Sequence, residues 1–415
     1  MNSWLRKTIF TGFEPNLSWR HVSISFIYLF FPWKWYALCE GEYVIRAEKK
    51  LQEYFSVSHV SVFDSGRSAL YIALRAQGVQ KGDEVLVQAY TCVVVINAII
   101  YTGATPVFVD VQNDCNIDIK DLKKKITKKT KAIIIQHTFG LPADVDGICA
   151  VAKKHNIQTI EDCAHSLGAV HKKRLTGTIA DIGMLSFGSD KIISCGRGGA
   201  LVTKDSELAK KITFLQKNLP KAPIFSIVQQ LLKYTLFAVA KPLYSVEVGK
   251  MLLFITKKLD ITGSIIDQKE KRGERVSGFP SVLPNVFARI LCHQIGKIDT
   301  LNSHRKKIAK LYTSLLQKDI QQPQKNSYES VYLRYLLFVK NPVKLHALAK
   351  KHRIILGSWY DSVISPRDVD MEKSGYKKGM CPNAEKYAAQ SINLPTHKNI
   401  TKKEVKRIVT LLNTL

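Results

Sequence analysis

The fold is decided by the stretch LSFGSDKIISCGRGG, which runs from Leu185 to Gly199. An apolar run ends here in small, turn-forming residues, and Lys191 lies within the turn. Most lysines are solvated surface charges. Lys191, however, stands between a predicted strand and a glycine cluster, where backbone segments pack closely and little water remains. Desolvation lowers the pKa of a lysine, and a neutral amine can attack a carbonyl carbon to form an imine.

Around this stretch, residues 46–205 alternate short apolar strands with helical patterns. Strands are predicted at Val60–Phe63, Glu84–Val87, Pro106–Asp110, Ala132–Gln136, Thr159–Asp162, Gly183–Phe187 and Ala200–Thr203. Short apolar strands separated by helices predict an α/β fold, in which a mostly parallel sheet lies between two helical layers. Ligands of such sheets bind at the carboxyl ends of the strands.

A second signal is the stretch SGRSAL, Ser65 to Leu70, where a strand passes through small residues into a helix. Free backbone N–H groups and the positive end of the helix dipole favour a phosphate at such a turn. The alternative is an ordinary strand–helix turn with Ser68 as the N-cap.

A third signal is EDCAHS, Glu161 to Ser166, where two carboxylates end an apolar strand. A buried carboxylate needs a partner, and the protonated ring nitrogen of a cofactor would supply one. The alternative is a helix-capping aspartate beside a hydrogen-bonded core histidine. Together, the phosphate turn, the carboxylate and the lysine provide the three contacts that pyridoxal phosphate requires.

These motifs resemble those of the DegT/DnrJ/EryC1/StrS sugar aminotransferases, pyridoxal-phosphate enzymes with the type I aminotransferase fold. The resemblance covers roughly residues 43–215 and 280–415. The matching elements, in chain order, are SGRSAL (65–70), GDEV (82–85), PVFVD (106–110), TKAI (130–133), HTFGLPAD (137–144), EDCAH (161–165), SFGSDK with GRGG (186–199), CPNAE (381–385) and LPTH (394–397).

The resemblance implies a role for each matched residue. Lys191 would form the imine with the cofactor and shuttle the proton, and Asp162 would bind the pyridine nitrogen. His165 would approach the phenolic oxygen, and Tyr360 would lie on the substrate side. The phosphate would be held by Gly66, by the backbone groups of Arg67 and Ser68 and by the Ser186 hydroxyl.

Four departures from the family pattern stand out. Cys92 occupies the position where relatives often stack an aromatic ring on the cofactor, although Tyr90 is nearby. Arg67 replaces a threonine, and Arg197 replaces a glutamate. The Asn-Tyr-Arg element that reaches the neighbouring subunit's phosphate in relatives is absent near residues 280–282. Arg197 adds a charge that would either lower the pKa of Lys191 or contact an anionic substrate, and the sequence leaves both open.

Composition describes a globular protein with an anionic partner. The chain has 415 residues, 46% of them hydrophobic, and a formal net charge of +28. Such a charge favours nucleic acid, a phosphorylated small molecule or an acidic membrane surface, but no nucleic-acid-binding motif is present. The eight cysteines are scattered without metal-ligand spacing, which predicts a reducing, cytoplasmic location and no metal site.

Two segments depart from the α/β pattern. Residues 1–42 form an apolar, aromatic extension, which suits either a membrane interface or an arm on a partner subunit. Residues 217–275 form an insertion with an apolar helix at Ile224–Ala240, and seven lysines but one glutamate lie between Lys217 and Lys258. This composition favours peripheral contact with anionic lipid; the alternative is packing on the chain itself or on a partner.

We therefore predict a large cofactor-binding domain at residues 43–285 and a smaller α+β domain at 286–415, which begins with one long helix over Arg289–Leu316. The resemblance implies a homodimeric aminotransferase that converts the keto group of a nucleotide-linked sugar to an amine, with glutamate as donor, in amino-sugar or surface-polysaccharide biosynthesis. Two alternatives are a dehydratase of the same family, which Lys191 disfavours, and a membrane-associated binding or regulatory protein without turnover.

Overall fold

The computed structural model describes residues 7–259, 261–264, 266–317, 320, 322–323 and 328–413. Its strands are β1 (Ile9–Phe10), β2 (His59–Phe63), β3 (Glu84–Gln88), β4 (Thr91–Cys92), β5 (Thr105–Val109), β6 (Thr130–Gln136), β7 (Gln158–Asp162), β8 (Val170–His171), β9 (Arg174–Leu175), β10 (Ile182–Ser186), β11 (Gly199–Thr203), β12 (Tyr335–Phe338), β13 (Ile354–Ile355), β14 (Ile364–Ser365) and β15 (Ser391–Leu394).

The helices are α1 (Trp19–Phe30), α2 (Tyr43–Phe55), α3 (Gly66–Ala76), α4 (Val93–Ile100), α5 (Ile119–Lys125), α6 (Val145–Lys154), α7 (Ser206–Lys217), α8 (Ile224–Ala240), α9 (Val248–Lys258), α10 (Gln268–Lys271), α11 (Asn285–Ile295), α12 (Ile298–Leu315), α13 (Pro342–Lys351), α14 (Met371–Ser374), α15 (Pro382–Gln390) and α16 (Lys402–Leu412). Short 3-10 helices lie at Pro32–Ala37, Thr138–Gly140 and Pro242–Val246.

The central sheet has seven strands in the order β2-β11-β10-β7-β6-β3-β5. The pairs from β10 through β7, β6 and β3 to β5 are all parallel, while β11 is antiparallel to both of its neighbours. The predicted mostly parallel sheet is therefore confirmed. Its parallel strands present their carboxyl ends at one edge, which is where the three sequence signals lie.

Apolar side chains on both faces of the strands hold the sheet between two layers of helices. Val85 and Val87 of β3 pack in one core with α3 and α4, whereas Leu86 points to the opposite face, against α5 and α6. In β11, Leu201 joins the first core and Ala200 faces a core that contains α2 and α11. Successive side chains of a strand point to opposite faces, so both faces of the sheet are covered by helices.

The smaller region has its own core, which joins β12, β15, α13 and α16 to the second half of α12. The predicted single helix Arg289–Leu316 is wrong: α11 ends at Ile295, and α12 begins at Ile298 beyond Gly296. The break lets α11 pack with α2 against the large sheet, while α12 continues into the small core. We accordingly propose the domain boundary at the start of α12 instead of at residue 286.

The N-terminal segment packs on the chain itself. Strand β1 pairs with β13 of the smaller region, and α1 lies along α8, where Ile24 and Tyr28 share a core with Ile227 and Leu231. Residues 1–6 of the predicted extension, and positions 260 and 265 of the insertion, lie outside the described residues. No helix in the described part of the chain has both the length and the apolar character needed to cross a membrane.

Candidate active site

A cavity of about 180 Å³ opens at the carboxyl ends of β2, β6, β7 and β10. Its lining joins all three sequence signals with segments that are distant in the chain. The lining includes Gly66, Arg67, Cys92, Asp162, His165, Ser186, Ser189, Lys191, Arg197, Gln230, Lys233, Trp359 and Tyr360.

The turn after β2 is shaped by its glycine. A Cβ at Gly66 would lie 3.0 Å from the Ser186 Cβ, and one at Gly199 would lie 2.4 Å from the Ser65 carbonyl oxygen. Side chains at these positions would push the turn away from β10 and β11. The start of α3 therefore sits directly beside Ser186, and its N-terminal dipole faces the cavity as a phosphate site requires.

Ser68 is not among the residues that line the cavity, and the role of its backbone at the phosphate stays a prediction. Its hydroxyl donates to the Asp64 carboxylate at 2.5 Å, and its backbone N–H donates to the Ser65 hydroxyl at 3.2 Å. Ser65, and not Ser68, is therefore the N-cap of α3. Gly66, Arg67 and Ser186 remain at the cavity surface.

Two arginines flank this turn, and each has a carboxylate partner. The Arg67 guanidinium pairs with Glu270 of α10, and Arg197 pairs with Asp64 at 3.2 Å. Arg197 lines the cavity. Its two possible roles, an effect on the pKa of Lys191 and contact with an anion, stay predictions.

The two carboxylates that end β7 have different surroundings. Glu161 accepts bonds from His137 at 3.1 Å and from the backbone N–H groups of Gly177, Ile179 and Ala180 at 2.8–2.9 Å. Burial opposes its ionisation, but these bonds outweigh burial and lower the pKa of Glu161. This carboxylate is structural, since it holds the turn before β10.

Asp162 lines the cavity, and within the described residues its carboxylate accepts one hydrogen bond, from the backbone N–H of Ala164 at 3.0 Å. Burial raises its pKa, and Lys191 offsets part of that effect. A buried carboxylate with so little compensation favours a cationic partner. Its position suits a protonated ring nitrogen placed in the cavity.

Lys191 is half-buried and lines the cavity. Its Nζ lies 5.2 Å from the centre of the Trp359 ring. Burial lowers its pKa; Asp162 and Cys92 oppose this effect, and the Arg334 cation adds to it. The Asn16 side chain fixes the loop by donating to the carbonyl oxygens of Lys191 at 2.7 Å and Ile192 at 3.1 Å.

His165 lies in a stack of rings. Phe139 and Trp359 are nearly parallel to it, at 5.5 and 5.8 Å between ring centres. Burial lowers the pKa of His165 well below its usual value. Its Nδ1 accepts from the Phe139 backbone N–H at 3.3 Å, so the neutral ring carries its proton on Nε2.

Cys92 and Tyr360 line the cavity, but Tyr90 does not. The Tyr90 hydroxyl lies 2.5 Å from the Ser391 hydroxyl, and its ring packs edge-on to Tyr360 at 5.3 Å. Tyr90 packs against Tyr360 outside the cavity lining, and its contact with the cofactor stays a prediction. Burial raises the pKa of the Cys92 thiol, which stays protonated at neutral pH.

Sequence reasoning missed several residues at this site. The buried Arg334 lies over the Trp359 ring at 4.0 Å and within 3.5 Å of Asp190. A charged residue in the apolar run that contains β12 was the available signal for Arg334. Asn16 and the α8 residues Gln230 and Lys233 carried no local signal, because only the tertiary fold brings them to the strand ends.

The sheet, its helical layers and the cavity together define the fold of the pyridoxal-phosphate-dependent aminotransferases. The model of the DegT/DnrJ/EryC1/StrS aminotransferase family matches residues 32–222 and 251–413. The chain belongs to this family. Residues 1–31 and 223–250, which contain α1 and α8, lie outside the match.

Among curated relatives, GDP-perosamine synthase of Escherichia coli O157:H7 is 42% identical over 170 residues, which are 41% of this chain and 47% of that protein. UDP-N-acetyl-3-dehydro-alpha-D-glucosamine 3-aminotransferase of Acidithiobacillus ferrooxidans is 43% identical over 39% of this chain and 44% of its own length. The alignments thus span about half the length of the first curated relatives, 47% and 48%.

Solved structures share the fold over nearly the whole chain. Helicobacter pylori PseC, an aminotransferase of pseudaminic acid biosynthesis, has a TM-score of 0.75 at 21% identity and covers 99% of both chains. S. venezuelae DesV in complex with a ketimine intermediate has a TM-score of 0.74 at 24% identity, covering 95% of this chain and 94% of that one.

Proposed function

We propose that this protein is a pyridoxal-phosphate-dependent aminotransferase that converts a keto group of a nucleotide-linked sugar to an amine. The observation that carries the proposal is the meeting of Lys191, Asp162 and the Gly66 turn in one buried cavity. Family membership and the relatives named for GDP- and UDP-linked sugars support the same reaction.

The residues present fit pyridoxal phosphate. The lack of a side chain at Gly66 lets the start of α3 lie against Ser186 at the cavity surface, and Asp162 is a buried carboxylate with little compensation. In this proposal Gly66, Arg67 and Ser186 hold the phosphate, Asp162 the ring nitrogen and Lys191 the aldehyde carbon. When bound, the cofactor supplies an electron sink for the substrate carbon.

The protein's own contribution is positioning and proton transfer. Because burial lowers the pKa of Lys191, its Nζ can accept a proton from the substrate carbon and return it. Asp162 keeps a proton on the ring nitrogen by staying ionised beside it. The Nε2–H of His165 is available to donate to an oxygen in the cavity. Trp359 and Tyr360 cover the site and exclude water.

The substrate class follows from charge and from the relatives. A net charge of +28 and arginines beside the cavity suit a diphosphate-bearing sugar. Glutamate is the proposed donor, and amino-sugar or surface-polysaccharide biosynthesis is the proposed setting. Uridine- and guanosine-linked keto sugars are therefore the acceptors to test first.

The deciding experiment is a two-stage amination assay. The protein is loaded with pyridoxal phosphate, and 2-oxoglutarate is measured after addition of glutamate. Keto-sugar nucleotides are then added and their amines are identified by mass spectrometry. We expect both half-reactions. A protein that binds the cofactor but releases no 2-oxo acid with any amino acid would favour the alternative of a binding or regulatory protein without turnover.

A second proposal concerns membrane attachment. Exposed large apolar side chains gather on α1, α8, α9 and the segments next to them, with Trp33 65%, Phe225 71% and Phe254 69% exposed. Lys250, Lys257 and Lys258 lie among them on α9. Apolar side chains with neighbouring cations suit the surface of an anionic bilayer. We propose peripheral attachment there by a cytoplasmic homodimer.

Flotation with liposomes tests this attachment. We expect the protein to float with vesicles that contain phosphatidylglycerol and less with pure phosphatidylcholine, because cations contribute. The double variant Phe225→Gln/Phe254→Gln should remain in the dense fraction. Phe214→Gln, an equally exposed phenylalanine (68%) on α7, is the matched control and should float like the parent. Equal flotation of both variants would contradict the proposal.

A further inference from the structure

Helix α8 lies outside the segments that match the family, yet it forms one side of the cavity. Ser226, Gln229, Gln230 and Lys233 line it from this helix, and we refer to these four residues as the α8 wall. They face the same space as Ser186, Ser189 and Lys191. The cavity therefore has a polar surface, supplied by the same chain, that the cofactor contacts assigned above do not use.

Lys233 is the charged member of the α8 wall. It is 6% exposed, and its Nζ lies 3.3 Å from the Ser189 hydroxyl and 3.4 Å from the Glu14 carboxylate. Its Nζ also lies 5.4 Å from the centre of the Phe237 ring. An ammonium carries three donors, and burying it is costly unless its charge is compensated. Glu14 is itself buried; burial raises its pKa, and Lys233 opposes that effect.

Gln230 adds a donor beside Lys233. It is 7% exposed and lies beside the Tyr234 hydroxyl, but within the described residues its amide nitrogen has no partner at good hydrogen-bond geometry. A Cβ at Gly196 would lie 2.4 Å from that nitrogen. Gln230 is thus packed directly against the glycine cluster that follows Lys191. A buried amide without a partner loses its hydration, and an acceptor in the cavity would restore a hydrogen bond.

We propose that Lys233 and Gln230 bind a phosphoryl group in this cavity, so that α8 completes the anion site within a single chain. The inference rests on the proposed function for its choice of ligand. Two sources offer the same chemistry: the phosphate of the cofactor and the diphosphate of the nucleotide-linked sugar. An ammonium and an amide N–H are both donors to phosphate oxygens, and the ammonium adds charge.

Paired ligands with and without phosphate test the proposal. Dissociation constants are measured for pyridoxal phosphate against pyridoxal, and for UDP and GDP against uridine and guanosine. Lys233→Met is compared with Lys233→Arg, which keeps the charge, and with Lys257→Met, an exposed lysine on α9. Gln230→Leu is measured in the same way.

We expect Lys233→Met to lower the affinity for one phosphorylated ligand by about tenfold or more. The affinity for the matching unphosphorylated ligand should fall by less than about twofold. A loss of affinity for pyridoxal phosphate would assign the α8 wall to the cofactor. A loss of affinity for UDP or GDP would assign it to the substrate. Lys233→Arg should retain most of the affinity, Gln230→Leu should lose less than Lys233→Met, and Lys257→Met should match the parent.

Folding and catalysis are separated by two further measurements. Lys233→Met leaves Glu14 unpaired, so the double variant Glu14→Gln/Lys233→Met is measured beside it, with circular dichroism as the check of the fold. Unchanged affinity for every phosphorylated ligand in the folded variants would overturn the proposal. A parent protein that binds UDP or GDP through Lys233 but not pyridoxal phosphate would sink the aminotransferase proposal and leave this one standing.

Discussion

The cavity is bounded by two regions of different origin. One is the glycine turn from Ser186 to Gly199, which lies within the family match and follows β10. The other is the α8 wall, which lies outside the match and is held by α1. The turn carries the residue proposed for covalent chemistry, whereas the wall carries only groups that bind. The residues at the strand ends would thus determine the reaction, and helix α8, which packs over them, would determine which ligand binds.

The largest effect is expected at the glycine turn. Lys191→Ala removes both the covalent attachment and the proton carrier, and we expect turnover to fall by about 10³-fold or more. Lys191→Arg keeps a cation without a usable amine and should be equally inactive. Steady-state amination measures this effect. Substantial activity in either variant would refute the role of Lys191.

The neighbouring carboxylates of β7 should respond differently. Asp162→Asn keeps the size but loses the charge at the cavity, so we expect activity to fall on the order of 10²-fold with little change in stability. Glu161→Gln places an amide against the backbone donors of the 177–180 turn, and should lower the free energy of unfolding by about 3 kcal/mol. Activity assays and urea denaturation measure both variants. Loss of activity in Glu161→Gln together with loss of stability in Asp162→Asn would contradict the roles given to these two carboxylates.

The sequence predicted the sheet and the chemistry of the strand ends because both depend on local patterns. Apolar runs located the strands, and glycines at 66 and 199 marked two positions where the chain packs too closely for a side chain. The role of α8 could not be predicted, since its periodicity shows an amphipathic helix but not what its polar face meets. Tyr90 and Ser68 lie outside the cavity lining for a related reason: the sequence does not fix the direction in which a side chain near a strand end points.

The contact between the two regions can be tested at Gly196. Its φ of +84° disfavours alanine, and so does the position of Gln230, whose amide nitrogen would lie 2.4 Å from an alanine Cβ at this site. Gly375 has a similar φ of +78° but no atom within 4 Å of such a Cβ, so it is a matched control. We expect Gly375→Ala to lower the free energy of unfolding by about 1 kcal/mol, because of its backbone conformation alone.

Gly196→Ala should cost about 1–2 kcal/mol more than Gly375→Ala, because α8 must shift as well. Thermal and urea unfolding give the two values. Equal costs would mean that α8 does not press on the glycine turn.

The smallest effect concerns acid stability. His21 of α1 donates to the Ser194 carbonyl oxygen at 3.2 Å, and burial lowers its pKa from 6.5 to about 4. Between these values the unfolded chain binds more protons than the folded one, so stability falls as the pH drops from 6.5 towards 4. His21→Gln, which does not titrate, should show a shallower fall. An unchanged pH slope would exclude His21 as a contributor.

The central claim is that the Lys191 amine, among the many lysines of this chain, is the one that binds the cofactor. Incubation with pyridoxal phosphate, reduction with borohydride and peptide mapping test this claim directly. We predict one dominant phosphopyridoxyl adduct, on the peptide that contains Lys191, and its loss in Lys191→Ala. Labelling spread over exposed lysines, with Lys191 unmodified, would contradict the account.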